Sequence, residues 1–170
     1  MSTSLTIGLP DAEATDGFGR ALARAFPGAA DGCAVVHLRG ELGAGKTAVV
    51  RGLLRQLGVD GTVRSPTYTL VEIYGLGALH CVHVDLYRLR SPLEFEELSL
   101  RDYLTPGHLL FIEWPELGGG LVPAADLDIR LDYRDSGREV TVAAATALGA
   151  AWLHELECDA SIIPYLYNLT

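Results

Sequence analysis

Short apolar runs alternate along the chain with segments whose apolar residues recur at helical spacing. Residues 11–26 repeat apolar side chains every three or four positions, which predicts an amphipathic helix, although Gly17 and Gly19 weaken the pattern. The run CAVVHL (33–38) is short, apolar and β-branched, as expected of a buried strand. The segment TAVVRGLLRQLG (47–58) returns to helical spacing. A strand, a glycine-rich loop and a helix are therefore predicted in succession.

The second half of the chain reads mostly as strands. Apolar and β-branched runs around short glycine-containing turns predict antiparallel hairpins at residues 68–85 and 127–143. HLLFIEW (108–114) predicts another buried strand, which ends near an acid, and SPLEFEEL starts a helix that Ser91 can cap. Together these elements predict an α/β fold. Its central mixed β-sheet would be parallel around the glycine loop and flanked by helices.

The glycine loop carries the candidate chemistry. GELGAGKT (40–47) fits the phosphate-loop pattern G-x-x-x-x-G-K-[ST], and Lys46 is the only lysine among 13 basic residues. Glycines let successive N–H groups converge on phosphate oxygens, and the start of the following helix adds partial positive charge. A compact ammonium can reach between two phosphates, and the next hydroxyl suits Mg²⁺. The loop therefore predicts nucleotide binding by Leu42, Gly43, Ala44, Gly45, Lys46 and Thr47.

The charge and composition restrict the partners. The net charge of −9 offers no obvious basic patch for gripping nucleic acid, so any role near RNA would depend on partner proteins. The three cysteines are scattered and indicate no disulfide framework. The N-terminus lacks a signal-peptide pattern, and no apolar window approaches the ~18 residues that a membrane span needs. We expect a cytoplasmic protein without a membrane partner.

The phosphate loop is shared by several classes of protein, which differ in their other motifs. Guanine-specific members use an N-K-x-D element, but the only asparagine is Asn168 and the only lysine lies in the loop, which argues against a GTPase. A small-molecule kinase stays open because Arg88, Arg90 and Arg101 could form a lid. A binding module that ATP gates without hydrolysis also stays open.

Four motifs in a fixed order carry a more specific resemblance: GELGAGKT, RSPTYTLVEIY, HVDLYRL and FIEWPE. In this order they resemble the TsaE (formerly YjeE) family, small bacterial ATPases needed to make threonylcarbamoyladenosine beside the tRNA anticodon. The likeness is close over residues 40–116 and looser from about residue 3 to 145. It implies a phosphate-loop NTPase fold in a single ATPase domain at 1–145. Residues 146–170 match nothing in the family and would form a C-terminal extension, whose structure the sequence does not predict.

The resemblance also implies residue roles. Lys46 matches the phosphate-binding lysine, and Thr47 and Glu113 match the Mg²⁺ ligands. A carboxylate at the end of an apolar strand is independently what such a metal site requires. Asp85 matches the aspartate thought to assist hydrolysis, and Thr67 resembles a switch threonine that could sense the γ-phosphate. The implied cofactors are ATP and Mg²⁺, and the implied partners are TsaD and TsaB, through which tRNA would be reached indirectly.

Four further residues complete the expectations. Trp114 matches a tryptophan beside the site in the family. His83 would support Asp85, because positions two apart on a strand share a face. Arg138 lies in a late hairpin and could approach the nucleotide. Ala48 departs from the family, whose members commonly have a second hydroxyl residue there.

Overall fold

The computed structural model describes residues 3–29 and 31–167. Within these residues the strands are β1 (Ser4–Leu9), β2 (Cys33–Arg39), β3 (Val71–Leu76), β4 (Leu79–Asp85), β5 (His108–Glu113), β6 (Leu127–Arg134) and β7 (Gly137–Ala144). The α-helices there are α1 (Ala12–Ala25), α2 (Lys46–Gln56), α3 (Pro92–Glu97) and α4 (Ala147–Glu157). Short 3₁₀ turns cover Leu100–Tyr103, Pro115–Leu121 and Ile163–Tyr165.

The described strands form a seven-stranded mixed sheet in the order β1-β7-β6-β2-β5-β4-β3. Strand β2 pairs in parallel with both β5 and β6, and β4 pairs in parallel with β5. The β3–β4 and β6–β7 pairs are antiparallel hairpins, and β1 pairs antiparallel with β7. The predicted α/β fold, with a parallel centre and two antiparallel hairpins, is therefore confirmed.

The sheet is covered on both faces, which explains why its central strands are apolar throughout. Successive residues of β2 point to opposite sides, so Val36 packs in the larger core and Val35 in the smaller one. The larger core lies under α1, α2 and α4, and the smaller one lies under α3 and the following 3₁₀ turn. This arrangement leaves the ends of the central strands as the place where polar loops can gather.

Two glycines let α1 and α2 pack closely. A Cβ at Gly19 of α1 would lie 2.1 Å from the Val49 carbonyl oxygen, and a Cβ at Gly52 of α2 would lie 2.2 Å from that of Asp16. Because such distances are too short for any side chain, the two helices touch backbone to backbone. The close contact sets the position of α2, whose first turn carries the phosphate-loop lysine and threonine.

The C-terminal residues, whose structure the sequence left open, include α4. Trp152 of α4 is fully buried and its Nε1 donates to the Leu22 carbonyl of α1 at 2.9 Å. Tyr167 donates its backbone N–H to the Thr6 carbonyl at the outer edge of β1, where Leu166 forms a bridge with Ile7. The predicted domain division at residue 145 stays a prediction, and residues 168–170, with Asn168, lie outside the described part. In the described part, no helix has the length and apolarity needed to cross a bilayer.

Candidate functional site

The candidate site lies at the carboxyl ends of β2, β4 and β5, which meet because these strands run parallel. A cleft of about 420 Å³ opens there between the glycine loop and the segments that follow β4 and β5. The predicted site residues that line it are Leu42, Gly43, Gly45, Lys46, Thr47, Thr67, Asp85 and Glu113. Thr47 and Glu113, which are 66 positions apart in the chain, thus share one cleft in the structure. The nucleotide and metal roles of these residues stay predictions.

Ala44 is the predicted loop residue that does not line the cleft. Its methyl group is buried in the larger core, and its N–H donates to the Glu41 carbonyl at 3.1 Å. The neighbouring Gly43 and Gly45 have φ angles of 77° and 110°, in the left-handed region that glycine adopts without strain. The glycines therefore make the turn, while Ala44 anchors its base.

Lys46 is 5% exposed and its ammonium rests on the loop itself. Nζ donates to the carbonyl oxygens of Gly40 at 2.7 Å and Glu41 at 2.9 Å. It also lies 4.1 Å from the centre of the Trp114 ring, a cation–π contact. Burial lowers the pKa of Lys46 from its ordinary value, while the nearby Glu113 carboxylate acts in the opposite direction. A bound phosphate would compete with two carbonyls for this ammonium.

Thr47 and Glu113 meet directly across the cleft floor. The Thr47 hydroxyl donates to Glu113 Oε1 at 2.9 Å, and the same oxygen accepts a bond from His83 Nε2 at 2.7 Å. Glu113 is 2% exposed and His83 is fully buried. Among the described residues, His83 Nδ1 is the buried side-chain nitrogen or oxygen with no hydrogen-bond partner. The His83 imidazole is thus bonded to the Glu113 carboxylate through Nε2 alone.

This contact corrects the expectation that His83 supports Asp85. Strands β4 and β5 are adjacent and parallel, with Asp85 opposite Glu113 in the register. His83 lies one pleat behind Asp85 on the same face, which brings its ring diagonally to Glu113 on the neighbouring strand. The hydrogen-bond partner of His83 therefore lies on the neighbouring strand β5 and not on β4 itself.

Both carboxylate oxygens of Asp85 accept hydrogen bonds from neighbouring loop residues. Oδ2 accepts from the Ser65 hydroxyl, and Oδ1 accepts from the Tyr87 backbone N–H at 3.0 Å. Thr67 Oγ1 donates to the Ser65 carbonyl at 3.2 Å. Asp85 therefore links the end of β4 to the loop that carries Thr67. A movement of this loop would displace the Asp85 carboxylate, and the reverse also holds.

The geometry of Thr47 and Glu113 suits a magnesium ion. Both supply oxygen atoms, which Mg²⁺ prefers, and Mg²⁺ commonly uses one or two protein ligands with water and phosphate oxygens completing the shell. Within residues 3–29 and 31–167, no three His, Cys, Asp or Glu side chains are grouped to hold a metal by themselves. The residues therefore fit a metal that arrives with a nucleotide better than a metal held by protein alone.

One residue of the site was missed from the sequence. Ser65 binds Asp85, and its position in the RSPTY motif could have indicated a role. Arg88, which the sequence suggested only as part of a kinase lid, lines the cleft with its guanidinium carbon 4.8 Å from the Tyr68 ring centre. Arg138 is not among the residues that line the cleft, and it donates from Nε to the Ala44 carbonyl of the loop at 2.9 Å. Its predicted approach to a nucleotide stays a prediction.

Comparison with known proteins identifies relatives over most of the chain. The family model described as "Threonylcarbamoyl adenosine biosynthesis protein TsaE" matches residues 9–140. The tRNA threonylcarbamoyladenosine biosynthesis protein TsaE of Haemophilus influenzae is 46% identical over 115 residues, 68% of this chain and 73% of that protein. Its Bacillus subtilis namesake is 35% identical over 126 residues, 74% of this chain and 75% of that protein. The crystal structure of B. subtilis YdiB superposes with a TM-score of 0.76 at 28% identity, covering 93% of this chain and 97% of that one.

Proposed function

Because the chain belongs to the TsaE family of tRNA threonylcarbamoyladenosine biosynthesis proteins, we propose that it binds Mg-ATP in the cleft and hydrolyses it slowly in support of that modification. The observation that carries the proposal is the meeting of Lys46, Thr47 and Glu113 at one end of the cleft. An ammonium, a hydroxyl and a buried carboxylate are the three groups that phosphate-loop enzymes use on a triphosphate and its metal.

The proposed roles follow from what each group can do. Lys46 would leave the loop carbonyls to bind the β- and γ-phosphates. Thr47 and Glu113 would hold Mg²⁺, which when bound neutralises charge on the phosphate oxygens. Asp85 would orient the attacking water, and Thr67 would report the γ-phosphate through the Ser65 loop to which Asp85 is bonded.

We further propose that the chain acts with TsaD and TsaB proteins and reaches tRNA through them. Its acidic surface, with 22 acidic against 13 basic residues, supports an indirect route, because phosphate backbones are gripped by basic surfaces. On this proposal ATP turnover resets the complex and does not itself modify the base.

The direct test is nucleotide binding with and without metal. Glu113→Gln keeps the shape of the side chain and removes its charge, so Mg-ATP affinity should fall at least tenfold while affinity for ATP in EDTA changes little. Lys46→Ala should weaken both. Glu116→Gln is a matched control, because Glu116 binds Arg39 outside the cleft. Equal losses with and without metal for Glu113→Gln would remove Glu113 from the metal shell.

Phosphate release with TsaD and TsaB present tests the rest of the proposal. We expect slow release that Lys46→Ala abolishes, and capture of TsaD and TsaB that depends on nucleotide. A γ-phosphate that stays intact for hours with both partners present would favour the non-hydrolysing module. Release of ADP only with an added small-molecule acceptor would favour the kinase.

A further inference from the structure

Two side chains of the β6–β7 hairpin bind the outer side of the phosphate loop. Arg138 Nε donates to the Ala44 carbonyl at 2.9 Å, and its Nη2 donates to the Gly43 carbonyl at 3.3 Å. Tyr133 donates its hydroxyl to the Leu42 carbonyl at 2.8 Å. Three consecutive loop carbonyls are therefore bound by side chains that lie about 90 residues further along the chain.

The two hairpin residues also support each other. Tyr133 and Arg138 are directly opposite in the β6–β7 register, and the guanidinium carbon lies 4.2 Å from the ring centre. Arg138 Nη1 donates to the Gly137 carbonyl at 2.8 Å, which fixes the guanidinium on its own strand. The ring and the planar guanidinium thus form a rigid pair, as stacked Arg–aromatic contacts do.

Binding the carbonyls determines where the opposite N–H groups point. In a planar trans peptide the N–H of one residue is directed away from the C=O of the residue before it. Fixing the carbonyls of Leu42 and Ala44 toward the hairpin therefore directs the N–H groups of Gly43 and Gly45 away from it. Both glycines line the cleft on that other side, where a phosphate would be bound.

The hydrogen bonds within the loop, from Lys46 Nζ and the Ala44 N–H, are made to the carbonyls of Gly40 and Glu41 and do not bind those of residues 42–44. Gly43 and Gly45 have positive φ and wide conformational freedom, so an unsupported loop would populate many shapes. Gly43 is also confined from outside, because a Cβ there would lie 2.9 Å from the Tyr133 hydroxyl. An external support that reduces this freedom before a ligand arrives increases affinity without touching the ligand.

We propose that Arg138 and Tyr133 are positioning residues that hold the phosphate loop in its binding conformation, an inference that rests on the nucleotide-binding function proposed above. Neither residue lines the cleft, so their effect on a nucleotide passes through the loop backbone. If the loop populates the binding conformation less often, the apparent affinity falls in proportion to the lost fraction.

The test compares nucleotide affinity across hairpin variants, each measured well below its own unfolding temperature. Tyr133→Phe keeps the ring beneath the guanidinium and removes one hydrogen bond, so ATP affinity should fall about threefold to tenfold. Arg138→Ala removes charge-assisted bonds to two carbonyls and should cost about tenfold to a hundredfold. Arg138→Lys should recover part of that loss, because an ammonium can still reach one carbonyl.

Arg134 supplies the matched control. It lies on the same hairpin, is largely exposed and binds Glu139 at 2.6 Å. Arg134→Gln removes the same charge without touching the loop, so its ATP affinity should equal that of the wild type. A loss in Arg134→Gln as large as in Arg138→Ala would assign the effect to net charge and overturn the proposal.

Hydrogen exchange of the nucleotide-free protein separates this inference from the proposed function. Backbone amides of residues 40–47 should exchange faster in Arg138→Ala than in the wild type or Arg134→Gln. If the wild type binds no ATP, the proposed function fails, and faster exchange in Arg138→Ala still supports the hairpin as the loop's support. Unchanged affinity of Arg138→Ala in a wild type that binds ATP, or unchanged exchange, overturns the inference.

Discussion

The two glycines of α1 lead to opposite predictions for the same substitution. Gly17 and Gly19 both interrupt a helical pattern, and alanine at either position should favour the helix by about 1 kcal/mol. Their surroundings differ. A Cβ added at Gly17 meets nothing within 4 Å, whereas one added at Gly19 would lie 2.1 Å from the Val49 carbonyl oxygen and 3.0 Å from the Leu53 nitrogen. Gly17→Ala should therefore stabilise the protein, and Gly19→Ala should destabilise it.

The magnitudes follow from those distances. Ordinary Cβ contacts begin near 3.4 Å, so Gly19→Ala must push α1 and α2 apart by about 1 Å. Overpacking costs about 1–3 kcal/mol, and the upper end applies because backbone atoms cannot rotate away. With about 1 kcal/mol regained from helix propensity, the net loss is about 2 kcal/mol. For a chain of this size the midpoint of thermal unfolding should fall by about 4–8 °C, against a rise of about 2–4 °C for Gly17→Ala.

Thermal and urea unfolding followed by far-UV circular dichroism measure both variants under one set of conditions. The midpoints should move in opposite directions around the wild type, with unchanged urea m-values. If Gly19→Ala were as stabilising as Gly17→Ala, α1 and α2 would not be in backbone contact at this crossing. That result would refute the claim that close packing of α1 against α2 sets the position of α2.

Two further predictions concern buried or paired carboxylates. His83→Leu removes the Nε2 bond to Glu113 and should cost about 1–3 kcal/mol in urea unfolding, whereas His83→Gln, which keeps an N–H donor, should lose less. Equal stability of the two variants would contradict the pairing. The hydrogen bond from Arg24 lowers the pKa of Asp159 from 3.8 to about 2, so the stability that this pair contributes is complete above pH 3.8 and is lost as the pH falls through about 2. The midpoint of thermal unfolding of Asp159→Asn should therefore lie about 2–4 °C below that of the wild type at pH 7, and the two midpoints should converge as the pH falls toward 2. A difference between the midpoints that stayed constant down to pH 2 would contradict this pH dependence.

Local patterns along the chain were sufficient for the elements around the site. Apolar spacing predicted the strand–loop–helix unit, the helix at residues 11–26 and both hairpins, because burial of one face imposes a period that any short window displays. The phosphate loop and the family resemblance were read from contiguous motifs for the same reason. Lys46 and Thr47 are neighbours in the chain, so their shared location needed no knowledge of strand order.

Contacts between distant segments required the folded chain. Glu113 takes His83 as its partner because β4 and β5 are adjacent and parallel, a relation between strands that no window of sequence contains. Arg138 reaches the phosphate loop because the sheet order places the β6–β7 hairpin beside β2, the strand that leads into the loop.

The sequence by itself therefore determined the elements around the cleft and indicated the residues that we propose carry its chemistry. Gly19 shows what the sequence could not explain. A glycine weakens a helix, and the reason for this one is the α2 backbone that packs against it. Secondary structure and motif chemistry arise from neighbours in the chain, where the peptide geometry is the same in every protein. Partners and close approaches arise from strand order and helix crossing, which the packing of the whole domain decides.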